Sequence, residues 1–247
     1  MMKKIFLLVL AAMLFLPLFA QNKVITIAGD PWPPFLDPEN PTNGLSVEIV
    51  NAAFETQGYE TEIKYMPWAR AINGVKEGDY DILVNAWMTE ERKEFLMFSD
   101  PYTANQIKFI KRAGSDFEFT QMSDLDGLTI GVIRGYGYGD KFMKYEYFTR
   151  DESADFETNV KKLIAGRFDL TLEDEIVARI KIAKENRLWF EEIEFVKNPL
   201  SQENLYVACG LKNARHQEII EAFNKGLEVI KTNGTYAKIM EKYGIKQ

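Results

Sequence analysis

Short apolar runs rich in Val, Ile and Leu alternate along this chain with amphipathic stretches, and clusters of turn residues separate them. Val24 to Ala28 is an apolar run of strand type, closed by Asp30-Pro31-Trp32-Pro33-Pro34, whose prolines can continue neither strand nor helix. Leu45 to Thr56 sets Val47, Ile49, Val50, Ala53 and Phe54 at helical spacing and ends near Gly58. Thr61 to Tyr65 is a second strand, Trp68 to Lys76 a second helix, and Asp81 to Ala86 a third strand apolar enough for burial on both faces. Gln106 to Lys111 follows as a strand with no helix before it. Leu128 to Ile133 is another, running into Gly135-Tyr136-Gly137-Tyr138-Gly139. Thr158 to Ala165 predicts a helix closed by Gly166, Phe168 to Leu172 a strand, and Ile176 to Glu185 a helix. After a strand over Leu205 to Cys209 comes a long helix through Ile219, Ile220, Phe223, Leu227 and Ile230; Asn233-Gly234 stops it, and Tyr236 to Tyr243 adds a last short helix. Lys141 to Glu152 mixes charge and aromatics without a period and reads as an amphipathic helix and surface loop. The alternation implies an α/β fold with mainly parallel strands, in two modules.

The first residues stand apart from this pattern. Lys3 and Lys4 precede an apolar run from Ile5 to Phe19, then Ala20 and the polar Gln21-Asn22-Lys23. This is the form of a secretory signal peptide, residues 1–20, cut after Ala20. The run is shorter than the ~20 residues of a spanning helix. No Cys follows the cut, so the reading is an exported chain without a lipid anchor, located in the periplasm of a Gram-negative type of cell.

Composition narrows the function. The chain is 46% hydrophobic and 27% charged, which is globular, and its net charge of -7 argues against a nucleic-acid partner. One Cys rules out an intramolecular disulfide, and with one His it leaves no zinc-finger or His-rich metal site. A Ser-His-Asp triad would have to use His216, which lies in the polar start of the long helix and reads as surface. Cys209 reads as a core thiol. No cofactor or metal is implied.

The most informative stretch is Trp87-Met88-Thr89-Glu90-Glu91-Arg92-Lys93-Glu94-Phe95, followed by Phe98-Ser99-Asp100-Pro101-Tyr102. It begins where a buried strand ends, and ligands of open α/β sheets bind at that end. Thr89 can cap a short helix, and Arg92 in its first turn can aim a guanidinium fork at a carboxylate. The plainer reading pairs Arg92 with Glu91 or Glu94 on the surface. Trp32 and Phe35, Trp68 and Trp87 all fall near predicted loops or strand ends, either as core or as walls of a cleft. Asn85, on the third strand, is grouped with them as a ligand-facing polar residue. The glycine loop matches neither Gly-x-Gly-x-x-Gly nor a phosphate-binding loop. Arg134 beside it is either a further cation of the cleft or a solvated residue.

The strand, the Thr-x-x-Arg turn and Phe98-Ser99-Asp100-Pro101-Tyr102 together resemble the bacterial extracellular solute-binding proteins of family 3. So do Pro33-Pro34-Phe35, Gly44-Leu45-Ser46-Val47-Glu48-Ile49, Ala165-Gly166-Arg167-Phe168-Asp169 with Asp174-Glu175, and Asn233-Gly234-Thr235-Tyr236 with Tyr243-Gly244. The resemblance covers nearly all of the chain after its first twenty residues. It implies a two-lobed periplasmic-binding-protein fold of type II, with one lobe from residues 22–105 and 206–247 and the other from 106–205. Each lobe would hold a mainly parallel sheet flanked by helices, and crossover strands near Asn105 to Lys108 and Glu203 to Tyr206 would form the hinge. It further implies capture of an amino acid or related small carboxylate in the interlobe cleft, by a monomer, for delivery to an ABC permease. Arg92 would hold the ligand's α-carboxylate and Asp174 its α-ammonium group, while Asp174 by its position also suits the N-cap of a helix beginning at Glu175. Two positions depart from the family pattern. Tyr136 stands where amino-acid binders carry a small hydroxyl residue, and Trp87 where many carry a small one. The resemblance implies a binding protein rather than an enzyme. Relatives of the same fold include cyclohexadienyl dehydratases, for which Glu173 would be the candidate acid, and ligand-sensing partners of membrane receptors. Strand alternation predicts that only one of Glu173 and Asp174 faces the cleft.

Overall fold

The computed structural model describes residues 23–244; the leader over residues 1–20 and its cut site lie outside the described residues. The chain begins with β1 (Lys23–Gly29), α1 (Leu45–Glu55), β2 (Tyr59–Tyr65), α2 (Trp68–Glu77) and β3 (Ile82–Ala86). A four-residue helix α3 (Glu90–Lys93) and a short strand β4 (Leu96–Phe98) lead to the long β5 (Thr103–Arg112). The second half runs β6 (Thr129–Ile133), α4 (Asp140–Met143), β7 (Thr149–Ser153), α5 (Phe156–Ile164), β8 (Leu170–Asp174), α6 (Glu175–Glu185), α7 (Trp189–Glu192) and β9 (Ile193–Phe195). The chain then returns through β10 (Ser201–Gly210), α8 (His216–Thr232) and α9 (Thr235–Lys242).

The strands follow the order β2-β1-β3-β10-β5-β8-β6-β7, with β4 beside β10 and β9 beside β5. The β1–β2, β1–β3, β6–β7 and β6–β8 pairs are parallel, whereas β5 and β10 run antiparallel to their neighbours. Each half is therefore a parallel sheet with an antiparallel member, and β5 and β10 belong to both. Thr103 to Ile107 pair with Leu205 to Ser201 between the halves; beyond that, β10 pairs with β3 and β4, and β5 with β8 and β9. Two lobes joined by two crossing strands result.

Helices cover the sheets with their apolar faces. α8 lays Ile219, Phe223, Leu227 and Ile230 against the first sheet and crosses α1 closely enough for Phe54 and Phe223 rings to meet at 5.7 Å. In the second lobe, α5 buries Phe156, Val160 and Leu163. Cys209 is a core thiol pushed up to about 12 by burial.

The region over Lys141 to Glu152 departs from expectation. It contains a single helical turn and then β7, which pairs in parallel with β6 from Thr149–Thr129 to Ser153–Ile133. β7 is an edge strand reading Thr-Arg-Asp-Glu-Ser, only its last residue buried, so it carries no apolar alternation to reveal it.

Candidate functional site

The carboxyl ends of the strands of both lobes face one another across a cleft. The first lobe contributes the loop after β1, the first turn of α2 and the segment from β3 into α3. There the Thr89 hydroxyl accepts the Arg92 amide at 3.2 Å and fixes the start of α3. This turns the Arg92 side chain inward. It is only 4% exposed, so the surface reading fails. Its Nη1 donates to the Trp87 carbonyl at 2.7 Å and its Nη2 to the Gly135 carbonyl of the other lobe at 2.8 Å. The guanidinium also lies over the Trp68 ring, 5.4 Å from its centroid. Burial lowers its pKa to about 10, which leaves it charged at neutral pH.

Aromatic side chains fill the centre of the cleft. Trp32, Trp68, Trp87 and Tyr136 are all buried. Tyr136, from the glycine loop of the second lobe, meets Trp68 and Trp87 edge-on at 5.8 and 5.5 Å. Trp87 also meets Trp32 edge-on at 5.7 Å, and its indole N–H donates to Asn105 Oδ1 at 3.1 Å. Phe35 stacks on Trp32 at 4.8 Å and is 1% exposed; it supports the wall from within the core. Asn85 is half-buried and accepts the Tyr102 hydroxyl at 3.1 Å. Asn85 borders a central cavity of about 10 Å³ with Asp30, Trp32, Trp68, Trp87 and Arg92, and Tyr136 closes it. That is room for about one water. Wider interlobe grooves of about 700 and 500 Å³ open on either side.

Three carboxyl groups gather around these rings. Asp30 accepts the Tyr136 hydroxyl at 3.1 Å; burial raises its pKa to about 6 against the opposing pull of Lys181. Glu173 accepts the Trp32 indole N–H across the lobes at 3.2 Å and the Asp174 amide at 2.8 Å, and burial pushes it up to about 8. Its other oxygen has no hydrogen-bond partner. Asp174 caps α6 by accepting the Val177 amide at 2.8 Å, and burial raises it to about 6. Lys181 stands at the edge of this group, 3.6 Å from Glu157.

One expectation is corrected. Arg134 does not enter the cleft: the residue after buried Ile133 alternates outward, and its guanidinium is solvated and 3.2 Å from Glu152. Glu173 and Asp174 are both buried, at 0% and 1% exposure. Every residue of β8 is buried, and Asp174, the last of them, is also the N-cap of α6. Arg92, Trp32, Trp68, Trp87, Asn85 and Tyr136 come together, with Phe35 behind them, while Asp174 lies beside Asn105 and Glu173 at the start of α6. Sequence reasoning missed Asp30 and the Gly135 carbonyl. The position of Asp30 before Pro-Trp-Pro-Pro, at the end of the first strand, was the available signal for the former; a backbone oxygen gives none. His216 sits half-buried at the start of α8 with a ring nitrogen 2.8 Å from the Asn213 carbonyl, away from any nucleophile of a triad.

Residues 24–246 match the family described as bacterial extracellular solute-binding proteins, family 3. The arginine-binding periplasmic protein of Mannheimia haemolytica is 27% identical, over 91% of this chain and 92% of that one. A probable histidine-binding protein of Neisseria gonorrhoeae is 26% identical, over 86% and 78%. Among solved structures, an ancestral arginine-binding protein bound to arginine superposes with a TM-score of 0.72 at 27% identity, covering 89% of this chain and 97% of the other. These relatives are binding proteins by name.

Proposed function

Because the chain belongs to the bacterial extracellular solute-binding proteins of family 3, we propose that it captures an amino acid with a cationic side chain in the cleft between its lobes and presents it to an ABC permease. The observation that carries this reading is the gathering of acidic groups around the cleft. Arg92 and, at the edge, Lys181 are set against three carboxyl groups among indole and phenol rings: Asp30 and Asp174, at about 6, are chiefly ionised at neutral pH, and Glu173, at about 8, is a buried acid whose ionised form a ligand cation would favour. Arg92 takes the ligand's carboxylate as a bidentate fork, and Asp174 takes its α-ammonium group. Asp30 and Glu173 then face the cationic end, and ring faces among Trp32, Trp68 and Trp87 flank it. The arginine- and histidine-binding relatives support the same class of ligand.

A solute that touches both lobes favours the closed form. The lobes, residues 22–105 with 206–247 and residues 106–205, move about β5 and β10 near Asn105 to Lys108 and Glu203 to Tyr206. The protein works as an exported monomer in the periplasm after removal of residues 1–20. Capture and release require no covalent step.

A thermal-shift screen on protein unfolded and refolded to strip bound solute tests the ligand class. L-arginine, L-lysine or L-histidine at a hundredfold excess over the dissociation constant stabilises by about 2.7 kcal/mol and raises the melting temperature by several degrees. A response to L-glutamate alone, or conversion of prephenate or arogenate by the purified protein, would sink the proposal.

A further inference from the structure

The narrowest part of the cleft is occupied by the chain itself. The Gly135 carbonyl oxygen receives two donors of the opposite lobe, Arg92 Nη2 at 2.8 Å and Trp68 Nε1 at 2.8 Å. A guanidinium and an indole converging on one oxygen form the acceptor seat that a ligand carboxylate would use. One residue further, the Tyr136 ring closes edge-on against Trp68 and Trp87, and its hydroxyl donates to Asp30 Oδ2 at 3.1 Å. This dipeptide thus offers an oxygen to the cation, a ring to the aromatic wall and a hydrogen to the carboxylate. The three contacts are those the cleft would give a small amino acid. With Tyr136 in place, only about 10 Å³ remains between Trp32, Trp87 and Arg92, so a solute and this side chain cannot share the space. The fit is close: a Cβ on Gly137 would lie 2.9 Å from the Arg92 guanidinium carbon and 3.0 Å from the Thr89 methyl, and glycine leaves that room.

We propose that Gly135-Tyr136 is a tethered occupant of the solute site, which an incoming ligand must displace, and that Tyr136 thereby sets both the affinity and the selectivity of the cleft. This rests on the reading of the cleft as an amino-acid site. Two consequences follow from the geometry. The lobes close on themselves through Arg92, Trp68 and Tyr136, so closure does not require solute. The apparent affinity for any solute is reduced by the fraction of molecules whose cleft is already filled. A ligand succeeds only if it gives Arg92, the aromatic wall and Asp30 more than the dipeptide does.

The test separates this inference from the identity of the ligand. Spin labels on Arg167→Cys in the second lobe and Glu228→Cys in the first report the interlobe distance, and Cys209 is buried and stays unlabelled. On solute-stripped protein, the parent should give a compact distribution, Tyr136→Ala a shift to longer distances, and Tyr136→Phe, which lacks only the bond to Asp30, an intermediate one. Circular dichroism and melting confirm that each variant is folded, and Tyr136→Phe keeps the test usable if Tyr136→Ala is not. With L-arginine as the titrated probe, Tyr136→Phe should bind roughly three- to tenfold more tightly, the equivalent of one lost hydrogen bond of the occupant. A stripped parent as open as Tyr136→Ala, or weaker arginine binding by Tyr136→Phe, would overturn the occupant. The predicted distance shifts with no arginine binding by any variant would uphold it and retire the cationic amino-acid reading instead.

Discussion

Glu173 is the most constrained titratable residue of the cleft. It has no exposure, one oxygen is shared by the Trp32 indole and the Asp174 amide, and the other oxygen is unpartnered. Burial outweighs the charge of Lys181 and the two hydrogen bonds, and the carboxyl is pushed up to about 8. At neutral pH it is chiefly the neutral acid, with a proton available to donate. An unfolded Glu titrates near pH 4.3. Between there and pH 8 the unfolded chain gives up a proton that the folded protein keeps, so this residue lowers stability as pH rises through the window. Glu173→Gln keeps the shape and removes the titration. Its melting temperature relative to the parent should climb from about pH 5 to pH 8 and then level off. A difference that is flat with pH would contradict the neutral buried acid. At this scale the sequence was legible where a side chain announces its chemistry, as with Arg92 after a strand end and the tryptophans beside prolines. It was illegible where the contact is a backbone oxygen, as at Gly135. It misled at Arg134, where charge beside the cleft could not reveal the direction of the side chain.

Among elements, α8 was the most readable, because its Ile, Phe and Leu positions recur at helical spacing over several turns. Of the three parallel strands of the first lobe, β1 and β3 were readable as apolar runs, and the largely polar β2 only over Thr61 to Tyr65. β7 was not, since a polar edge strand is held by its backbone ladder to β6 rather than by buried side chains. The α8–α1 contact exposes a further packing constraint. A Cβ built on Gly226 would stand 2.1 Å from the Ala53 carbonyl oxygen, which belongs to the facing helix backbone and cannot swing aside. Alanine favours a helix interior over glycine by about 1 kcal/mol, but overpacking typically costs about 1–3 kcal/mol. A clash this short with backbone belongs at the upper end of that range, about 2 kcal/mol net, so Gly226→Ala should lower the melting temperature by roughly 4–8 °C. An unchanged or raised melting temperature would mean that α8 and α1 are less tightly apposed than this.

The whole molecule is two α/β lobes tied by β5 and β10, each of which pairs with strands of both sheets. That architecture was inferred from the order of motifs along the chain rather than from any one of them. Its consequence for function is that the strand ends carrying Arg92, Asp30 and Trp87 meet those carrying Glu173 and Tyr136. Interlobe bonds from Trp32, Trp68, Arg92 and Tyr136 all converge within this one cleft. A solute that replaces the Gly135 carbonyl on Arg92 would gain a charged partner in place of a neutral one, which is the larger interaction. Calorimetric titration of solute-stripped protein with L-arginine, alongside Arg92→Ala and Arg92→Lys, tests this most directly. The parent should bind at a single saturable site. Arg92→Ala should lose about thirtyfold or more in affinity, as expected when one partner of a buried charge pair is removed, while Arg92→Lys should retain part of it. Undiminished affinity in Arg92→Ala would place the solute somewhere other than this cleft.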